Sequence, residues 1–172
     1  MPTIDQMLNT ILKNEGGFVD IPQDHGGATN FGVTIGEYGV YLGHPATKEE
    51  VKKMPIAHAK DIFRKKYYDK PGIDKIELEL QPVVFDASVL YGPSRAIKFL
   101  QTVVGVNPDG VIGPATVNAA TDLVFKNGIV AVVNDYVQER IDFCNQIVRN
   151  NPSQKIFLKG WTNRANSFKL KA

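Results

Sequence analysis

The chain has 172 residues, of which 43% are hydrophobic and 22% charged, and a net charge of +2. That is enough apolar material for a sizeable core, which excludes a mostly disordered chain, and no run of about 18 apolar residues is present to span a membrane. The single cysteine, Cys144, can form no internal disulfide and reads as a small buried hydrophobe of a chain made in a reducing compartment.

Helical spacing begins at once. Ile4, Met7, Leu8, Ile11 and Leu12 recur at i, i+3, i+4, i+7 and i+8, behind a capping box of Thr3 and Gln6, so a helix is predicted from about Ile4 to Glu15. The glycine-rich stretch "NEGGFVDIPQDHGGATNFGVT" follows, and within it "ATNFGVT" has the chemistry of a small hairpin. Thr34 is placed to cap the helix that starts at "IGEYGVYLG". Thr47 with Glu50 repeats the capping signature, and Pro55 then interrupts before Ile56, Ala59, Ile62, Phe63 and Tyr67 resume the period, giving two helices or one kinked helix. Pro82 suits a first helical position ahead of "VVFDASVLYG", and Gly92 and Pro93 restart the chain into "SRAIKFLQTVVG" as the second of a central buried pair. The turn "NPDGVIGP", a short helix from about Pro114 and a longer one from about Gly128 to Asn150 complete the pattern. The fold class is mainly α.

The chemistry concentrates at the end of the first helix. Glu15 projects from the apolar stripe, four residues after Ile11, and it closes the helix. Desolvation and the partial negative charge of the last turn both disfavour its anion, so a raised pKa is expected, as general-acid cleavage of a glycosidic bond requires. A surface glutamate ahead of a Gly-Gly stop fits the same residues equally well. Asp24, with Asp20 close by, is the candidate second acid, and both also suit turns. Thr29 and Thr34 can orient a water or serve local structure. His25, His44 and His58 show no paired ligand spacing, so neither a metal nor a cofactor is expected.

"EGGFVDIPQDHGGATNFGVT" resembles the signature of glycoside hydrolase family 108, a lysozyme-like group of N-acetylmuramidases known from phage endolysins and described as secretion-activating proteins. The likeness continues through "IFRKKYYDK" and "VVFDASVLYGPSRAIKFLQ" into "PDGVIGPATVNAA" and "FLKGWTNRA", the part predicted to bind peptidoglycan, and so covers nearly the whole chain. The resemblance implies a bilobed lysozyme-like fold, with a catalytic region at 1–92 and a helical peptidoglycan-binding region at 93–172. It places the catalytic glutamate on Glu15 and the Gly-Gly-x-Thr element on Gly26, Gly27 and Thr29, with Asp24 as the matching acid. The spacing of Asp24 and Thr29 departs from that of related phage lysozymes, which leaves the water-holding group and the inverting or retaining outcome open. Where the family commonly has tryptophan, this chain has Tyr68, so Tyr67 and Tyr68 either stack on sugar or belong partly to the core.

Two further places carry alternatives. Asp86 lies inside an apolar run and must be satisfied, by a helix amino terminus or Arg95, or be functional. In "GWTNR", Trp161 and Arg164 either bind sugar and an anionic group or pin the carboxy-terminal segment to the core.

The resemblance implies hydrolysis of the β-1,4 bond between N-acetylmuramic acid and N-acetylglucosamine, with a catalytically idle wall-binding or secretion-accessory protein as the alternative. Peptidoglycan glycan is the expected partner, nucleic acid is not, and a monomer is expected. "MPTIDQMLNT" lacks a basic region followed by an apolar stretch, so no Sec signal is expected, and access to the periplasm would depend on a holin. From Phe143 to Ala172 there are two arginines, four lysines and no acid, a basic end able to approach anionic outer-membrane lipid.

Overall fold

The computed structural model describes residues 2–20 and 27–171, apart from the side chains of Asn14 and Glu15. The chain divides into two compact units, Pro2–Lys66 and Tyr67–Ala172. Both are mainly α, and among the described residues one short antiparallel sheet is present.

In the first unit, α1 (Ile4–Glu15) starts at the expected capping box, Thr3 Oγ1 accepting from the Gln6 amide and Gln6 Oε1 from the Thr3 amide. Its stripe of Met7, Leu8, Ile11 and Leu12 is buried, at roughly 1.5–3 kcal/mol per side chain. It packs against α4 (Ile56–Arg64), which supplies Ala59 and Phe63. Strands β1 (Thr29–Asn30) and β2 (Val33–Thr34) form the expected hairpin, with Thr29 opposite Thr34 and Asn30 opposite Val33. Its two turn residues, Phe31 (φ 51°) and Gly32 (φ 75°), both have positive φ, as the primed hairpin turns demand. Thr34 caps α2 (Ile35–Leu42) through a capping box with Glu37, and Thr47 caps α3 (Lys48–Lys52) with Glu50. Asn30 ties the hairpin to α3, its amide donating to the carbonyls of Val51 and Lys52 at 2.9 and 3.2 Å. Pro55 separates α3 from α4, so the interrupted segment is two helices, and α4 runs on into a π-helical turn, Lys65–Asp69.

The second unit is built on α5 (Gln81–Tyr91), whose residues Gln81 to Ser88 are all buried. Pro82 occupies its second position, one later than expected, because Gln81 already turns into the helix. Around α5 pack α6 (Pro93–Val104) and α8 (Ile129–Asn150), with α7 (Pro114–Asn127) against both of these and α9 (Lys155–Asn166) against α8. The expected short helix at Pro114 has 14 residues. It buries only Thr116 and Ala120, so its apolar period is faint, and the helix runs on until Gly128 caps it. Tyr91, Phe99, Tyr136 and Phe143 meet edge-on or tilted between α5, α6 and α8. Cys144 is fully buried, its sulfur 3.2 Å from the Tyr91 hydroxyl, as expected of a core cysteine.

Candidate active site

The apolar stripe orients α1, and Gly16, with φ 82°, ends it immediately after Glu15. Glu15 is therefore the last residue of the helix. Its side chain lies outside the described residues, as do Asp24, His25 and Gly26. Past them, Gly27 has φ 69°, and a Cβ there would meet Ile35 Cγ2 at 3.1 Å, so a side chain would be strained on both counts. Thr29 is held from two directions. It exchanges both backbone bonds with Val19 at 2.8 Å, and it faces Thr34 in the hairpin. Val19 and Thr29 are thereby joined, and Thr29 is half-buried.

Thr34 is a cap. Its hydroxyl accepts from the Glu37 amide and donates to Glu37 Oε2, which also accepts from the Thr34 amide. Burial alone would raise the Glu37 pKa, but Lys66 and the bonds from Thr34 outweigh it and hold the carboxyl below the ordinary glutamate range. Asp20 is committed to Lys48 at 3.0 Å. Sequence reasoning missed an aromatic group on the same unit, in which Tyr38 bonds His58 Nδ1 at 2.9 Å and Tyr41 lies 5.0 Å from the His58 ring. The i, i+3 spacing of the two tyrosines in "EYGVY" was its one visible signal.

The remaining sequence candidates belong to the second unit. Tyr68 is buried, its hydroxyl donating to Gln81 Oε1 at 2.6 Å and its ring lying edge-on to Phe85. Tyr67 is half-buried, and its carbonyl accepts from Ser88 Oγ at 2.8 Å. Trp161 stacks on Phe157 one turn earlier in α9, with ring centroids 5.7 Å apart. Arg164 has already found a carboxylate, that of Asp86, which it holds through Nε and Nη2. Asp86 is thus satisfied, but not by Arg95 or a helix amino terminus. Its second partner is Arg140 at 2.7 Å, and Arg95 lies instead over the Phe143 ring at 5.0 Å.

Two grooves stand out among the described residues. One, about 540 Å³, follows the glycine face of α2 past Val40 and Pro45, with no acid among its described lining residues. The other, about 450 Å³, lies between α6 and α8 and is strongly charged. No cluster of His, Cys, Asp and Glu suited to a metal occurs among the described residues, and no described helix is long and apolar enough to cross a membrane.

Comparison with known proteins agrees with this architecture. Residues 8–92 match the family model "Glycosyl hydrolase 108", and residues 95–166 match "Predicted Peptidoglycan domain". Brucella abortus SagA, a solved structure, is similar at 33% identity with a TM-score of 0.72, covering 96% of this chain and 90% of that chain. A comparison with curated proteins gave no match. The mainly α, lysozyme-like fold and the matches to a hydrolase family and a peptidoglycan domain support a peptidoglycan hydrolase. The chain belongs to the glycosyl hydrolase 108 family.

Proposed function

We propose that the protein is a muramidase that cleaves the β-1,4 bond from N-acetylmuramic acid to N-acetylglucosamine. Glu15 donates a proton to the leaving oxygen, and Asp24 supplies the second carboxylate, which stabilises the oxocarbenium-like transition state or activates water. The observation that carries this reading is the placement of Glu15, the final residue of a helix whose apolar stripe is buried, within the residues that match the hydrolase family. The bridge between Val19 and Thr29 supports it further, because it joins the two described ends of the segment that contains Asp24.

Digestion of purified peptidoglycan, with mass spectrometry of the fragments, tests the bond. A new reducing end on N-acetylmuramic acid is expected; one on N-acetylglucosamine, or a freed peptide, overturns the assignment. Glu15→Gln is expected to lower turnover by about 10²–10⁴-fold, the usual scale of general-acid catalysis, with the fold intact. The same reading takes the protein as a phage lysis enzyme, for which expression in the cytoplasm lyses cells only when a holin is co-expressed.

A further inference from the structure

The charged groove between α6 and α8 has two unlike walls. On α6, Arg95 and Lys98 stand three residues apart beside Phe99, and on α8, Glu139 and Asp142 repeat that spacing beside Phe143. Each helix therefore turns one face of i, i+3 and i+4 positions into the cavity, two charges and a ring, so that two cations of α6 face two acids of α8, and Gln146 and Arg149 extend the α8 wall beyond them. No ion pair within 4.0 Å involves any of these four among the described residues.

The surroundings hold this arrangement in place. Arg95 rests on the Phe143 ring at 5.0 Å, and Phe99 is buried beneath. Pro108 closes the groove from the loop between α6 and α7. Buried Gln101 fixes that loop, donating to Asp109 Oδ1 and the Val111 carbonyl and accepting from the Gly110 amide. Burial, and then the charge of Asp142, push the Glu139 carboxyl up from its ordinary range.

Arg95 and Lys98 facing Glu139 and Asp142 complement a ligand that carries both charges close together. In peptidoglycan the sugars are neutral where the lactyl group is amide-linked, so the charges reside in the stem peptide. Its diamino acid joins an ammonium and carboxylates in one residue. All of the lining residues lie inside the 95–166 match to a peptidoglycan domain.

We propose that the groove between α6 and α8 binds the zwitterionic diamino-acid residue of a peptidoglycan stem peptide, with its carboxylates toward Arg95 and Lys98 and its ammonium toward Glu139 and Asp142. This rests on peptidoglycan being the substrate, and not on which bond is cut.

Calorimetric titration of the full chain with L-alanyl-γ-D-glutamyl-meso-diaminopimelate tests it, alongside the same tripeptide with its side-chain amine acetylated. Saturable one-to-one binding is expected, about tenfold weaker for the acetylated peptide. The double variant Arg95→Ala/Lys98→Ala is expected to weaken both peptides about tenfold or more. In Glu139→Gln/Asp142→Asn, the preference for the free amine disappears. Thermal unfolding of each variant establishes that it is folded. Absence of saturable binding, wild-type affinity in the Arg95/Lys98 variant, or an amine preference that survives in the Glu139/Asp142 variant overturns the proposal. Reducing-end release from whole walls is read separately on the wild-type chain. Loss of peptide binding with walls still cut removes only the groove assignment, and peptide binding without cutting removes only the hydrolase reading.

Discussion

Arg140 and Asp86 form a buried ion pair at 2.7 Å, and Arg164 grips the other side of the same carboxylate. One acid thus joins α5, α8 and α9. Arg140 is fully buried, between the rings of Tyr91 and Phe168, with its Nε lacking a hydrogen-bond partner among the described groups. Two cations share one anion in an apolar setting, so removing the anion is the costly change. Asp86→Ala is expected to lower unfolding free energy by about 3–5 kcal/mol in urea titration, because it strands Arg140. Arg164→Ala, at a side chain 29% exposed, is expected to cost less and to loosen chiefly α9, seen as faster amide exchange there.

The capping pair at α2 predicts a pH dependence. Glu37 is ionised at a lower pH in the folded chain than in the unfolded one, because Lys66 and Thr34 together outweigh its burial. Its contribution is complete above the ordinary glutamate range and is lost as pH falls through the lowered folded-state value. Glu37→Gln is expected to cost about 1 kcal/mol near neutral pH, the usual scale of a helix cap. That difference is expected to shrink toward zero in acid, as measured by urea unfolding across pH.

Glu139 predicts the opposite sign. Its folded-state pKa is raised, by burial first and by Asp142 second, so ionisation penalises the folded state. Stability falls as pH rises from the ordinary glutamate range through the raised value. Glu139→Gln is therefore expected to raise the melting temperature at neutral pH, an advantage that vanishes in acid. A gain in stability together with a weaker preference for the free-amine tripeptide would mark a residue retained for its ligand.

Phe31 is the one described residue other than glycine with positive φ, at 51°. A bulky side chain in that region carries about 1–2 kcal/mol of strain, which asparagine tolerates better. Phe31→Asn is expected to stabilise the first unit by about 1 kcal/mol in thermal unfolding.

What could be read from the sequence was set by distance along the chain. The boxes at Thr3 and Thr47 each link residues three apart and formed as expected, and the expected cap at Thr34 proved to be a box with Glu37 as well. The partners of Asp86 stand 54 and 78 residues away, where charge alone does not distinguish Arg95 from Arg140 or Arg164. The hairpin was visible as "ATNFGVT", but the positive φ of Phe31 was not, because asparagine precedes the turn position it would ordinarily fill. The groove between α6 and α8 was hidden for a similar reason: each wall looks like an ordinary solvated helix face until the other is set against it.

The backbone pairing of Val19 with Thr29 has a use beyond structure. Its two amide protons point at each other's carbonyls across the ends of the segment that bears Asp24, rather than along a helix. They exchange with deuterium only when those ends part. Two backbone protons therefore act as a clock for the parting of Val19 from Thr29, readable beside the helix amides and without any substrate present.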